Sequence, residues 1–152
     1  MNDKTWKELV ALYSRSESEF VDELPPPATD DDIALLFAAA KNEGLHIPQG
    51  YVEFLKIRNG TSFNGLMMYG ANVPEDDPFR RQDLVAINQF QLNRTNETVL
   101  GTNDQDTFVV VGEHGPFRRL DGATWDLREE FQTCEGLLAL IFSEQLESLS
   151  DD

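Results

Sequence analysis

The spacing of apolar residues changes twice along this chain, and the order of those periods constrains the fold more than any other feature. Trp6, Leu9, Val10 and Tyr13 recur at helical spacing, as do Ile33, Leu36, Phe37 and Ala40, and then Tyr51, Val52 and Leu55 with Phe54 beside them. Residues 98–101, 107–111 and 117–120 are instead short β-rich runs separated by turn residues. Beyond Thr133 the helical period returns with Leu137, Leu138, Ile141 and Phe142, followed by Leu146 and Leu149. Strands joined by tight turns pair antiparallel. Helices, then strands, then a helix therefore predict an α+β fold with helices packed on one face of an antiparallel sheet. A chain of 152 residues fits one domain, and 40% apolar content with ten Phe can fill its core without a disulfide. Cys134, the single cysteine, could form none internally.

Local signals set the boundaries. Thr5 followed by Glu8 fits a capping box ahead of the first helix. Pro25, Pro26 and Pro27 then forbid helix and favour an extended connector, so residues 1–27 read as a helix plus Pro-rich linker separated from a main body over 28–149. Thr29 caps the next helix, with Asp30, Asp31 and Asp32 in its positive first turn and Gly44 at its end. Pro48 suits the start of a third helix, Gly50 weakens it, and Asn59–Gly60 stops it. Residues 63–69 read as one strand, and 74–78, bounded by two prolines, as a surface loop. Asp83 can cap a helix over 84–94, and residues 150–152 read as a disordered tail.

Charge excludes some partners. Twelve Lys and Arg stand against 28 Asp and Glu, a net charge of −16, whose field repels nucleic-acid phosphate and anionic lipid. The longest apolar run, residues 33–40, is far shorter than the roughly 18 residues a transmembrane helix needs. The opening residues lack the three-part pattern of a secretory signal, so a cytoplasmic location is expected, and the sequons at Asn59, Asn93 and Asn96 carry no weight.

Catalytic templates fail one by one. Gly60 and Gly65 have phosphate-loop spacing, but Leu66 and Met67 stand where a Lys and a hydroxyl residue are needed. Asp104 and Asp106 begin like a calcium loop without its turn glycine or its terminal glutamate. His46 and His114 are not at metal-ligand spacing, and Cys134, beside an apolar helix, reads as a small buried side chain. No catalytic residue, metal or cofactor is expected. The acids of the second helix are explained by its dipole. Glu75, Asp76, Asp77, Asp104, Asp106 and Glu113 are not, and they form the candidate docking surface for a basic protein partner.

The order of short motifs resembles a known family. Ile47-Pro48, Tyr51, Phe54-Leu55 and Asn59-Gly60 are followed by Met68-Tyr69, Asp83-Leu84-Val85 with Asn88, Leu100-Gly101, Asp106 with Phe108, and Cys134-Glu135. Over about residues 27–142 this pattern resembles the SUKH superfamily, in its YrhA-like, Smi/Knr-type branch. The helix before the proline run and the loop at 72–82 depart from it. The resemblance implies a curved antiparallel sheet with flanking helices and a non-enzymatic role. Many bacterial members are immunity proteins that neutralise a polymorphic or contact-dependent toxin, often a nuclease, and fungal members are regulatory scaffolds. Three readings therefore stand: an acidic inhibitor, a scaffold whose partner site is the arm 5–27, and a small-molecule binder or hydrolase using His46, His114 or Cys134. Monomer and weak dimer are both left open.

Overall fold

Thr5 opens the first helix, α1 (Trp6–Glu17), by accepting a hydrogen bond from the Glu8 N–H at 3.2 Å. The computed structural model describes residues 4–91 and 96–150. Within them lie five helices and a six-stranded open antiparallel sheet, an α+β architecture as the apolar periods predict. Trp6, Leu9, Val10 and Tyr13 are all buried, so α1 belongs to the core. It packs along the last helix, α5 (Cys134–Ser150), and the Tyr13 ring meets Phe142 edge-on at 5.0 Å and Phe63 at 5.7 Å. The expected separation at the proline run is thus corrected. An apolar stripe of four residues needs a cover, and α5 supplies it. The prolines are no free spacer either: the Pro26 carbonyl accepts from the Asn59 N–H at 2.9 Å, and the Ala28 N–H donates to the Leu55 carbonyl at 2.8 Å.

In α2 (Asp30–Glu43), Thr29 and Asp32 form both halves of a capping box at 3.0 Å, and Gly44 closes the helix in the left-handed conformation. Ile33, Leu36 and Ala40 are buried, but Phe37, expected in the same stripe, stays 43% exposed. It lies about 100° around the helix from Leu36, beyond the narrow face α2 presents to its neighbours. Pro48 precedes α3 (Gln49–Ile57), whose Tyr51, Val52, Phe54 and Leu55 are buried. Gly50 proves to be a requirement rather than a weakness. A Cβ there would stand 2.7 Å from the Cys134 Cβ, so glycine lets α3 approach α5.

Residues 63–69 form no single strand. They belong to a hairpin of β1 (Thr61–Phe63) and β2 (Leu66–Met68), because Asn64 (φ 56°) and Gly65 (φ 78°) take the two positive-φ positions of a two-residue turn. Helix α4 (Leu84–Gln89) is capped by Asp83, as expected, but ends short of residue 94; residues 92–94 lie outside the described residues. The Asn88 amide takes the place of a strand. It accepts from the Val99 N–H at 2.8 Å and donates to the Val99 carbonyl at 2.9 Å.

The strands β3 (Glu97–Thr102), β4 (Asp106–Val111), β5 (Phe117–Asp121) and β6 (Leu127–Phe131) complete the meander, each paired with the next. Strand β6 has no counterpart in the sequence reading, because its Arg128, Glu129 and Glu130 are exposed and show no apolar alternation. Cross-strand charge fixes it instead: Arg118 faces Glu130 and Arg119 faces Glu129. Helix α5 lies against β5 and β6, and α4 against β3 with α2 beside it. Ser150, expected in a disordered tail, ends α5; residues 151 and 152 lie outside the described residues.

A buried ion pair joins the last residue of α1 to the end of α3. Arg58 Nη2 lies 2.8 Å from Glu17 Oε1, with side chains only 4% and 6% exposed. Replacing Glu17 by Gln leaves that guanidinium charge buried without its counter-ion, which should cost about 3 kcal/mol, read from the shift in denaturation midpoint. Removing residues 1–27 uncovers α5, so the shortened chain should lose its cooperative thermal transition. A sharp transition in what remains would show that the core is complete without α1.

Candidate functional site

The six acids singled out in the sequence do not form one patch. Glu75, Asp76 and Asp77 lie in the loop between β2 and α4, Asp104 and Asp106 at the β3–β4 turn, and Glu113 at the β4–β5 turn. Asp106 begins β4 and Glu113 follows its end, so these two occupy opposite ends of the strand.

The first group is divided by burial. Glu75 and Asp76 are exposed. Asp77 turns inward, its side chain 2% exposed, and accepts from Arg81 Nε at 2.8 Å, Arg81 Nη2 at 2.7 Å and the Arg81 N–H at 2.8 Å. Arg81 also donates from Nη1 to the Asn59 carbonyl at 2.9 Å and lies over the Phe79 ring. The pair therefore folds the proline-bounded loop onto the end of α3. Burial alone pushes the Asp77 carboxyl up, but the Arg81 hydrogen bonds and charge outweigh it and hold the group below its ordinary value.

The second group is divided in the same way. Asp104 is exposed at the tip of the turn. Asn103 shapes that turn, its side-chain oxygen accepting from the N–H groups of Gln105 at 2.9 Å and Asp106 at 2.7 Å. The Asp106 side chain points across the sheet to two arginines, Oδ1 lying 3.2 Å from Arg128 Nε and Oδ2 3.7 Å from Arg119 Nε. Arg119 continues to Glu129 at 3.7 Å and donates to both oxygens of Glu144 on α5 at 2.9 Å, while Arg128 donates to Asp121 at 2.7 Å. The Arg128 hydrogen bond, with those from the Thr124 and Ala123 N–H groups, lowers the Asp121 carboxyl well below its usual range. This network ties β4, β5, β6 and α5 together. Asp77 and Asp106 are accordingly corrected as docking residues, since each already faces an internal cation. Glu75, Asp76, Asp104 and Glu113 remain exposed.

Sequence reasoning missed Arg119 and Arg128 as the partners of Asp106. The one available signal was the pairing of Arg118-Arg119 with Glu129-Glu130 on strands that are neighbours in the chain. Other reactive types have structural settings. Cys134 is buried against Gly50, and burial first, then the charges of Glu135 and Glu53, push its thiol up to about 12, so it is a thiol at neutral pH. The His46 N–H donates to the Thr98 hydroxyl at 3.0 Å, and the exposed His114 lies 3.8 Å from Glu113. Among the described residues no group of three or more His, Cys, Asp or Glu is placed to share a metal ion, and no helix is long and apolar enough to cross a membrane. The chain matches no protein-family model and no curated protein.

The Asp77–Arg81 pair sets a pH dependence. A carboxyl held below its ordinary value of 3.8 stabilises the fold fully above that pH and loses its contribution as pH falls toward the folded-state value. Asp77→Asn should therefore cost about 3 kcal/mol at neutral pH. The gap to the native chain should narrow in denaturation series taken below pH 3.8.

Proposed function

We propose that this chain is a non-enzymatic protein-binding domain, an immunity-type inhibitor that docks an acidic surface over a basic toxin domain. The observation that carries the reading is the engagement of four of its twelve cations by buried or partly buried acids. Arg58, Arg81 and Arg119 face Glu17, Asp77 and Asp106 with side chains no more than 19% exposed, and Arg128 faces Asp106 and Asp121. Each of these buried acids is taken inward with its cation, so the net charge of −16 is unchanged while acids outnumber cations by a larger ratio among the groups left outside. Such a surface attracts an enzyme whose active site is basic because it grips phosphates, and nuclease toxins are enzymes of that kind.

The scaffold reading, in which the arm 5–27 holds the partner, is less well supported. The apolar face of α1 is already covered by the core.

The test is a pull-down from the source cell's lysate with the purified chain as bait, at low and high salt, beside the variant Glu75→Gln, Asp76→Asn, Asp104→Asn, Glu113→Gln. All four positions are exposed, so folding should be unchanged. The native chain should recover a basic toxin domain that salt releases, and should protect cells expressing that domain. The variant should recover less and protect less. Equal recovery by both, independent of salt, would refute the acidic docking mechanism.

A further inference from the structure

The cleft between the C-terminal end of α2 and the β4–β5 turn has about 490 Å³ of space, within the range of about 300–1,000 Å³ common for binding pockets. Its walls are mainly apolar, with Phe37, Ala40, Leu45 and Ile47 contributing and Lys41, His46 and Glu113 supplying the polar lining. Phe37 is the helix-stripe aromatic that the core leaves 43% exposed. Glu113 is one of the exposed acids chosen from the sequence, and the exposed His114 Nε2 lies 3.8 Å from its carboxylate. An apolar cleft with an aromatic wall beside an exposed carboxylate is the arrangement in which a few anchoring side chains carry most of a protein interface.

Resting on the inhibitor reading above, we infer that this cleft is where the basic partner is anchored: one large apolar side chain of the partner enters between Phe37, Ala40, Leu45 and Ile47, and an adjacent Lys or Arg of the partner pairs with Glu113. Charge complementarity selects this occupant. Lys41 and Glu113 both line the cleft, and the negative end of the α2 dipole, together with the net charge of −16, tips the balance there toward cations. A second copy of this chain would bring its own −16 to the same surface, which disfavours self-association there. The apolar contact supplies affinity and the pair with Glu113 supplies orientation.

The experiment titrates the isotope-labelled full chain with a short synthetic peptide in which Arg alternates with Leu and Phe, and follows the amide NMR signals. A control peptide keeps the Arg residues and replaces Leu and Phe by Ser. The expected result is saturable shifts centred on Ala40, Leu45, Ile47 and Glu113, with the control at least about tenfold weaker. Phe37→Asp should weaken the first peptide by a similar factor, and Glu113→Lys should weaken it several-fold. Both positions are exposed, and unchanged spectra of the unbound variants establish that they fold. Equal binding by both peptides, shifts centred on Glu75, Asp76 and Asp104, or indifference to Phe37→Asp would overturn the cleft while leaving acidic docking intact. If neither peptide binds, the cleft assignment falls and the pull-down alone decides the inhibitor reading.

Discussion

The structure depends on Arg58. Its Nε donates to the Gly60 carbonyl at 3.0 Å, Nη1 to Ser14 Oγ at 2.9 Å and Nη2 to Thr61 Oγ1 at 3.1 Å, while Nη2 also faces Glu17 at 2.8 Å. A guanidinium charge removed from water is tolerated only when its donors are so occupied. One side chain thereby fixes the end of α3, the start of the hairpin and the last turn of α1. Tyr13 completes the arrangement, its ring under the Arg58 guanidinium and its hydroxyl donating to the Phe63 carbonyl at 2.8 Å. Burial raises the Tyr13 phenol well above its ordinary value, so it remains a neutral donor there.

A second consequence follows from where the arginines go. In a chain so short of cations, Arg58, Arg81 and Arg119 turn largely inward to internal acids, while Arg128 reaches Asp106 from an exposed position. The Asp77–Arg81 pair and the network of Asp106 with Arg119 and Arg128 each stabilise a loop or strand edge, while Glu75, Asp76 and Asp104 beside them face solvent. Structural ion pairing and outward acidity are thus coupled in this fold.

Much of the secondary structure was legible because it rests on local chemistry. The Thr29–Asp32 capping box, the Gly44 stop, the Asp83 cap and the inward residues of α5 all follow from contacts within a few positions, which sequence spacing reports directly. The two-residue turn at Asn64–Gly65 was also local, yet its place inside a run of apolar residues let the whole segment pass as one strand. Strand β6 was invisible for a different reason. Its stability comes from pairing with β5 and from opposed charges across the sheet, and neither leaves an apolar alternation along the strand itself.

The sequence by itself determined the class of fold, the antiparallel run of β3, β4 and β5 and the acidic character, since these depend on apolar period, turn chemistry and charge counts. Only the tertiary structure decided that α1 lies within the core, that Gly50 exists for Cys134, that Phe37 is left uncovered, and that Asp77 and Asp106 face cations while Glu75, Asp76, Asp104 and Glu113 face water. The physical reason is distance along the chain. Burial and ion pairing are set by groups that meet across tens of residues, and a carboxylate beside a distant arginine is spelled with the same letter as one in solvent.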